Sequence, residues 1–271
     1  MAAGGQKAGW LRGYAIGYLL FLYAPVLLLP VFAFNDSSII AFPLKGFTTR
    51  SFEALWATPA LHGAVINSLL VGVGAALIST LLGICAARAS ARFAFPGKPA
   101  MLGFTMLPLV LPEIIVAVSL VVVLIQLGLG LSLWAVVLGH VLICMPFSIS
   151  ILNAAFLSLD QSLEEASLDL GENRLSTFLR VTLPLVMPGV IASLLIAFTI
   201  SLDEFIIAFF LTGTEPTLPV YIWSQLRFPA KLPTIMALGF LMMLLSLVLL
   251  LAAEVFRRRA ERQGGSGGGF L

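Results

Sequence analysis

Six long runs of apolar residues constrain the fold of this chain more than any other feature. Of its 271 residues, 60% are hydrophobic and only 10% are charged, a balance that leaves a soluble domain too little polar surface. A helix that crosses a bilayer core needs about 20 apolar residues. The sequence therefore predicts an all-α polytopic membrane protein with about six transmembrane helices. The expected spans are roughly 14–34, 64–87, 100–127, 131–155, 188–211 and 234–256.

The distribution of basic residues predicts the orientation in the membrane. If the N-terminus is cytoplasmic, eleven of the 15 Lys and Arg residues fall on the cytoplasmic side. The other four are Lys45, Arg50, Arg227 and Lys231. Cytoplasmic loops of membrane proteins carry such an excess. We therefore predict two cytoplasmic termini, with an N-terminal segment 1–13, a transmembrane domain 14–258 and a linker-like tail 259–271 rich in Gly and Ser.

Residues 160–187, called the polar segment below, form a charged stretch between the fourth and fifth predicted spans. Ser162 and Glu165 have the spacing of a capping box, so we expect a helix to begin at Ser162. We expect it to run to Leu170 and to end where Gly171 takes a left-handed conformation. The predicted orientation puts this segment in the cytoplasm, where a soluble partner can reach it.

A second amphipathic turn is expected in the later half of the polar segment. Its apolar side would carry Leu175, Phe178 and Leu179. Since proline cannot donate a backbone hydrogen bond, Pro184 and Pro188 are expected to end this turn before the fifth span begins.

The polar segment resembles the cytoplasmic loop of the permease subunits of ABC importers. That loop reads Glu-Ala-Ala, three residues, Gly, nine residues, then Ile-x-Leu-Pro. The matching residues are Glu165, Ala166, Ser167, Gly171, Val181, Leu183 and Pro184. Ser167 replaces the second Ala and Val181 replaces Ile, and both replacements are conservative in size. The resemblance implies a type I ABC importer permease fold.

The same resemblance implies that 162–184 is a coupling loop, which sits in a cleft on a cytoplasmic ATPase subunit. The residues to which it assigns this role are Glu164, Glu165, Ala166, Gly171, Leu183 and Pro184. It also implies a bacterial inner-membrane location and three kinds of partner. These are a second permease subunit such as a paralogue, two copies of the ATPase subunit, and a periplasmic or extracellular solute-binding protein.

Further motifs resemble the spermidine/putrescine permease subgroup. They are Phe34-Asn35, Gly46-Phe47-Thr48, Phe95-Pro96-Gly97-Lys98, Pro112-Glu113-Ile114 and Ser201-Leu202-Asp203-Glu204. This resemblance implies a small cationic substrate such as spermidine or putrescine, and leaves opines and other amine-bearing solutes open. A net charge of +2 gives no reason to expect a nucleic-acid partner, and membrane lipid is the expected surrounding.

Three carboxylates, Glu113, Asp203 and Glu204, fall inside predicted spans. Such a charge costs about 2.5–3.5 kcal/mol at membrane depth, and no Lys or Arg lies in a predicted span at that depth to neutralise it. A rise of about 1.5 Å per residue puts all three acids at one level. We predict that they line the substrate pathway, with a bound cation as the counter-charge. The alternatives are water at a helix end or a pair across a subunit interface. His140 is expected to be a structural hydrogen-bonding residue or, alternatively, a proton sensor or a substrate contact.

Three functions are compatible with these features to different degrees. The sequence has no Gly-x4-Gly-Lys-Ser/Thr loop, so we expect ATP and Mg²⁺ to be bound by partner ATPase subunits. We expect this chain to be a transport subunit and not an enzyme, with no catalytic residue, cofactor or metal site. An ion-coupled secondary transporter would explain Glu113, Asp203 and Glu204 but not the polar segment. A non-transporting scaffold would explain neither.

Overall fold

The computed structural model describes residues 4–37 and 39–264 and shows that they are almost entirely helical. The first six helices are α1 (Gly4–Ala33), α2 (Arg50–Trp56), α3 (Pro59–Arg92), α4 (Lys98–Val110), α5 (Glu113–Gln126) and α6 (Leu133–Ser158). The next six are α7 (Gln161–Asp169), α8 (Arg174–Thr177), α9 (Leu183–Asp203), α10 (Ile206–Leu211), α11 (Leu218–Leu226) and α12 (Leu232–Gly264). A π turn, Phe178–Thr182, lies between α8 and α9, and a short 3₁₀ turn, Pro229–Lys231, precedes α12. The predicted tail residues 265–271 lie outside the described residues.

The prediction of an all-α membrane protein is confirmed. Among the described residues, five helices are long and apolar enough to cross a membrane, and the number becomes six if α4 and α5 together form one span. A helix satisfies its backbone N–H and C=O groups internally, which is what a segment in hydrocarbon requires.

The third predicted span is broken rather than continuous. Helices α4 and α5 meet at a bend of 107°, where Leu111 is extended (φ −78°, ψ 141°) and Pro112 caps α5. Proline disfavours the helical conformation in the residue before it, so Leu111-Pro112 ends one helix and starts another. Pro108, by contrast, is accommodated inside α4. The expectation of one span over 100–127 therefore needs this correction.

The contacts divide the chain into two compact units. The first consists of Met1–Pro59 and Ser224–Leu271, and the second of Ala60–Trp223. In the first unit, α12 packs against α1 and α2. Phe34, Phe52 and Phe240 form an aromatic cluster there, with ring centroids 4.9–6.1 Å apart.

The second unit has its core where α6 packs against α9 and the shorter helices. Small and hydroxylated residues bring the helices close, as is common in membrane bundles. Gly189 of α9 lies so near α6 that an added Cβ would be 2.6 Å from the Cβ of Ala155. Thr80 of α3 and Ser193 of α9 share a buried hydrogen bond of 3.0 Å. This unit contains the polar segment and the three acids discussed below.

The contact between Gly189 and Ala155 predicts a specific packing defect. Gly189→Ala should lower the free energy of unfolding by about 1–3 kcal/mol, because the methyl group would overpack a helix contact. Gly103→Ala, also inside a helix but with no atom within 4 Å of the added Cβ, should stabilise by about 0.5–1 kcal/mol. Thermal unfolding of both variants in detergent measures the difference. Equal changes in the two would contradict the proposed contact.

Candidate functional site

The polar segment begins with a capped helix, as expected, but the cap is a different residue. Asp160 is the N-cap of α7, and its Oδ1 accepts a hydrogen bond from the Ser162 amide at 2.9 Å. The Ser162 amide and then its hydroxyl hold the pKa of the Asp160 carboxyl below its ordinary value. The predicted capping box of Ser162 and Glu165 is therefore wrong, since Ser162 already lies inside the helix and a better acceptor precedes it.

Gly171 ends the first helix in the predicted way. Its φ of +90° is left-handed, a conformation that a residue with a Cβ adopts at a cost. The chain then turns into α8, where the Asn173 side chain accepts from the Ser176 amide at 2.9 Å. Near this turn, hydrogen bonding with the Ser176 side chain, and to a lesser degree Arg180, lowers the pKa of Glu172.

The second half of the polar segment does not end at its prolines. From Arg174 the helix runs through the π turn and α9 to Asp203. The Leu183 amide donates to the carbonyl of Phe178, five residues earlier, and Pro184 follows at the start of α9. The first turn of a helix does not require every backbone amide to donate a hydrogen bond. Pro184, which has no amide hydrogen, is therefore tolerated at the start of α9, directly after the π turn. Pro188 is likewise accommodated within α9.

The outer face of the polar segment is exposed and partly apolar. Glu165 and Ala166 are exposed, and Leu170, beside the turn, is 87% exposed. Leu163, Leu168, Leu175 and Leu179 are exposed as well. Leu183 instead packs inward against a core that includes Phe156 and Val190, while Pro184 is exposed. Contiguous apolar surface beside charged groups is typical of a protein-binding face.

The inner face of the polar segment is tied to α3 by Glu164. Its Oε2 lies 3.2 Å from Nε of Arg92, and its Oε1 accepts from the Thr182 hydroxyl at 2.9 Å. A cavity of about 340 Å³ lies beside this contact. Its lining includes Arg88, Arg92, Glu164, Arg174 and Thr177, and also Glu165, which is exposed on the outer face as well.

Among the acids at membrane depth, Glu204 is buried and has partners within its own chain. Its two oxygens accept from the amides of Ile207 and Ala208 at 3.0 and 3.1 Å. Oε2 also lies 3.2 Å from Nε2 of His140. This approach does not have the geometry of a hydrogen bond. Nδ1 of His140 is 2.6 Å from the Ser201 hydroxyl.

These partners are groups of the chain itself, and the role of Glu204 in the substrate pathway stays a prediction. The carboxylate satisfies the backbone where α9 stops and α10 begins, so its burial has a structural cause. They also fit the structural alternative for His140, which is buried between Ser201 and Glu204.

Glu113 and Asp203 have different surroundings. Glu113 is exposed at the first turn of α5 and lines a cavity of about 550 Å³ with mostly apolar walls, including Phe147, Ile200 and Ile206. Asp203 is exposed at the last residue of α9 and is not among the residues that line this cavity. The structure therefore gives each of the three acids its own environment. Within residues 4–37 and 39–264, no group of three or more His, Cys, Asp or Glu side chains could hold a metal ion.

Residues 79–262, more than half of the chain, match the family of binding-protein-dependent transport system inner membrane components. The chain belongs to this family. It is 32% identical over 236 residues to the spermidine/putrescine transport system permease protein PotC of Escherichia coli K12, an alignment that covers 87% of this chain and 89% of PotC. It is 35% identical over 234 residues to the putrescine transport system permease protein PotI of the same organism, with 82% of each chain covered.

Solved structures show the same fold. The chain resembles a bacterial alginate ABC transporter in complex with alginate pentasaccharide-bound periplasmic protein, with a TM-score of 0.71, 23% identity and 94% of each chain covered. A bacterial ABC transporter involved in the import of alginate also gives a TM-score of 0.71, at 15% identity, with 93% of this chain and 97% of that chain covered.

Membership of the family decides between the three functions. The chain is a multi-pass inner-membrane permease subunit of an ABC importer and is not itself an enzyme. ATP and Mg²⁺ belong to the partner ATPases of such systems. The ion-coupled secondary transporter and the scaffold are therefore set aside.

Sequence reasoning missed two sets of contacts. In the sequence Arg92 contributes only to the predicted orientation, whereas in the fold its position at the end of α3 lets it reach Glu164. The contact between His140 and Glu204 does not follow from the sequence, because helix spacing does not show which spans are neighbours. The sequence does contain one indication of the contact between His140 and Glu204. Each lies in a separate apolar run, and ionisable groups at membrane depth usually pair with one another.

The environments of Glu204 and Asp203 predict that the same substitution lowers the free energy of unfolding much more at Glu204 than at Asp203. Glu204→Ala removes the acceptor of two amides and the partner of His140, and each buried group left unsatisfied costs about 1–3 kcal/mol. Asp203→Ala should change the free energy of unfolding by less than about 0.5 kcal/mol, because Asp203 is exposed. Thermal unfolding of the two variants in detergent compares these neighbours directly. Similar losses in both would show that Glu204 does not hold the junction of α9 and α10.

Proposed function

We propose that this permease subunit moves a small cationic solute, of the polyamine class to which spermidine and putrescine belong, and couples to ATP hydrolysis through its polar segment. Its partners would be a second permease subunit, two copies of a cytoplasmic ATPase subunit and an external solute-binding protein. The observation that carries the coupling proposal is the exposed outer face of α7 and α8. Termini on the cytoplasmic side, as the basic residues predict, would present this face to the ATPase.

The two faces of the polar segment support different roles. The outer face carries Glu165, Ala166 and the exposed Leu170, so an ATPase cleft can bury apolar surface there and pair the carboxylate. The left-handed Gly171 sets the direction in which the chain leaves α7. Leu183 anchors the segment to the helix core, while Pro184 starts α9. ATP-driven movement of the ATPases would then shift the segment and the attached spans together.

The substrate proposal depends on the relatives and on the cavity beside Glu113. PotC and PotI are named for spermidine and putrescine transport, and their similarity extends along most of this chain. A polyamine has ammonium groups separated by methylene chains. The cavity offers a carboxylate at Glu113 and apolar walls such as Phe147 and Ile200, which suits both parts of such a molecule.

The roles proposed for the three acids differ accordingly. Glu113 and the exposed Asp203 would attract the cation, since neither carries a described ion pair. Glu204 would hold the break in the fifth span and so shape the pathway without touching the substrate. An opine or another amine-bearing solute would use the same carboxylates, so competition experiments decide between them.

Reversing the charge of Glu165 tests the coupling proposal. In the complete complex, Glu165→Lys should abolish association with the ATPase or ATP-driven uptake, because it puts a cation on the face expected to pair with the ATPase. Gly171→Asp should have the same effect by straining a left-handed position. Glu53→Lys, on the exposed face of α2, makes the same change outside the polar segment and should behave as wild type. Co-purification of the ATPase and uptake into proteoliposomes are the measurements. Normal coupling in both polar-segment variants would refute the proposal.

Substitution of Glu113 tests the pathway and the substrate class. Glu113→Gln should lower ATP-driven putrescine uptake about tenfold, which corresponds to about 1.4 kcal/mol, whereas Glu113→Asp keeps the charge and should retain most activity. Asp203→Asn should impair uptake to a smaller extent. Competition by unlabelled spermidine, putrescine, an opine and a neutral sugar, with the cognate binding protein present, identifies the substrate class. Equal uptake by Glu113→Gln and wild type would remove Glu113 from the pathway.

A further inference from the structure

The C-terminal end of α3 carries two arginines, Arg88 and Arg92, to which the proposed function gives no role. They are four residues apart, so both side chains leave the same face of the helix. Each one reaches a different part of the polar segment. Together they connect α3 to the segment whose outer face is proposed to meet the ATPase.

Arg92 joins α3 to the first half of α7 and to the chain just before it. Its Nε lies 3.2 Å from Glu164, and a terminal nitrogen donates to the Leu159 carbonyl at 3.2 Å. The side chains of Arg92 and Glu164 are only 9% and 16% exposed. Exposed ion pairs are screened by water and contribute little, whereas a pair with this degree of burial resists separation.

Glu164 extends the connection to the π turn. Its second oxygen accepts from the hydroxyl of Thr182, the last residue of the turn, at 2.9 Å, and Thr182 is fully buried. One carboxylate therefore holds α3, α7 and the start of α9 at a single point. A displacement of α7 has to move the other two elements or break this contact.

Arg88 holds the other end of the same turn. Its guanidinium carbon lies 4.1 Å from the centre of the Phe178 ring, a cation–π distance. Phe178 begins the π turn and Thr182 ends it. π turns inside α-helices are uncommon and frequently mark functional positions. Both ends of this one are thus fixed to α3 through the two arginines.

We propose that Arg88 and Arg92 are positioning residues for transport: they make α3 and α9 move with the polar segment when the ATPase displaces α7. This inference rests on the coupling role proposed above and adds a route for the movement. Direct contact with the ATPase is assigned to the outer face, around Glu165. The arginine pair acts behind it, between the polar segment and the spans.

The chain contains a matched control for this proposal. Arg180 and Glu172 form an ion pair of 2.9 Å, also within the polar segment. Their side chains are 74% and 38% exposed, and the pair joins the segment only to itself. Its loss should not affect the connection to α3.

The test uses the complete complex in proteoliposomes and measures solute molecules transported per ATP hydrolysed. Arg92→Ala and Thr182→Val should each lower this ratio about tenfold, within the range of coupling effects expected for residues between two sites. Arg88→Ala should lower it as well. Arg180→Ala and Glu172→Ala keep the contacts to α3, so a weaker association with the ATPase should lower both rates in proportion and leave the ratio within about twofold of wild type. A purely structural defect would reduce the amount of active complex and lower both rates in proportion, without changing the ratio.

Conservative variants sharpen the result. Thr182→Ser keeps the hydroxyl and should retain the wild-type ratio, and the exchange Arg92→Glu with Glu164→Arg should recover part of what Arg92→Glu alone loses. If Arg92→Ala does not assemble, the comparison of Thr182→Val with Thr182→Ser decides the question. A wild-type ratio in Thr182→Val, or an equal fall in Arg180→Ala, would overturn the proposal.

The failure of the underlying function would look different. A wild-type complex that shows no ATP-driven uptake, or normal coupling in both Glu165→Lys and Gly171→Asp, would remove the coupling role and this inference with it. A wild-type complex that couples normally, with unchanged ratios in the Arg92 and Thr182 variants, would overturn only the role of the arginine pair.

Discussion

The need to satisfy every backbone polar group at membrane depth governs this structure. Long helices meet that need internally, so the positions where helices stop are the informative ones. At Leu111-Pro112 the helix stops because proline disfavours the helical conformation in the residue before it, and a cavity lies beside the break. Between α9 and α10 it stops where the Glu204 carboxylate replaces the missing acceptors for two amides. The two breaks arise from different chemistry, and each places a carboxylate at a helix end.

The sequence was sufficient for the features that depend on composition and local geometry. The spans follow from length and hydrophobicity, and the turn at Gly171 follows from the conformational freedom of glycine. It was insufficient where two acceptable local solutions compete. Asp160 and Ser162 can both cap a helix, and Pro184 can either end one helix or open the next. Because a π turn precedes Pro184, the proline opens the next helix. The hydrophobic pattern of the sequence does not predict this π turn.

Contacts between distant spans were the other limit. The three membrane-depth acids look equivalent by helical rise, yet they have separate environments. Glu204 is buried against His140, 64 positions earlier in the sequence, because α6 packs on α9 and α10. Helical periodicity predicts the depth of a residue along its helix and the face on which it lies, but it does not predict which other helix packs against that face. For the same reason the sequence does not predict the ion pair of Arg92 and Glu164. The two residues look like ordinary loop charges until the fold brings α3 and α7 together.

The break that precedes α5 has an electrostatic consequence for its first residue. Glu113 lies in the first turn of α5, where the unpaired amides of a helix start carry a partial positive charge. That field stabilises a carboxylate without a basic side chain beside it. A continuous span would have put the same residue in mid-helix, where the field is absent. The proline break thus puts Glu113 in the field of a helix start, beside the cavity that the substrate proposal uses.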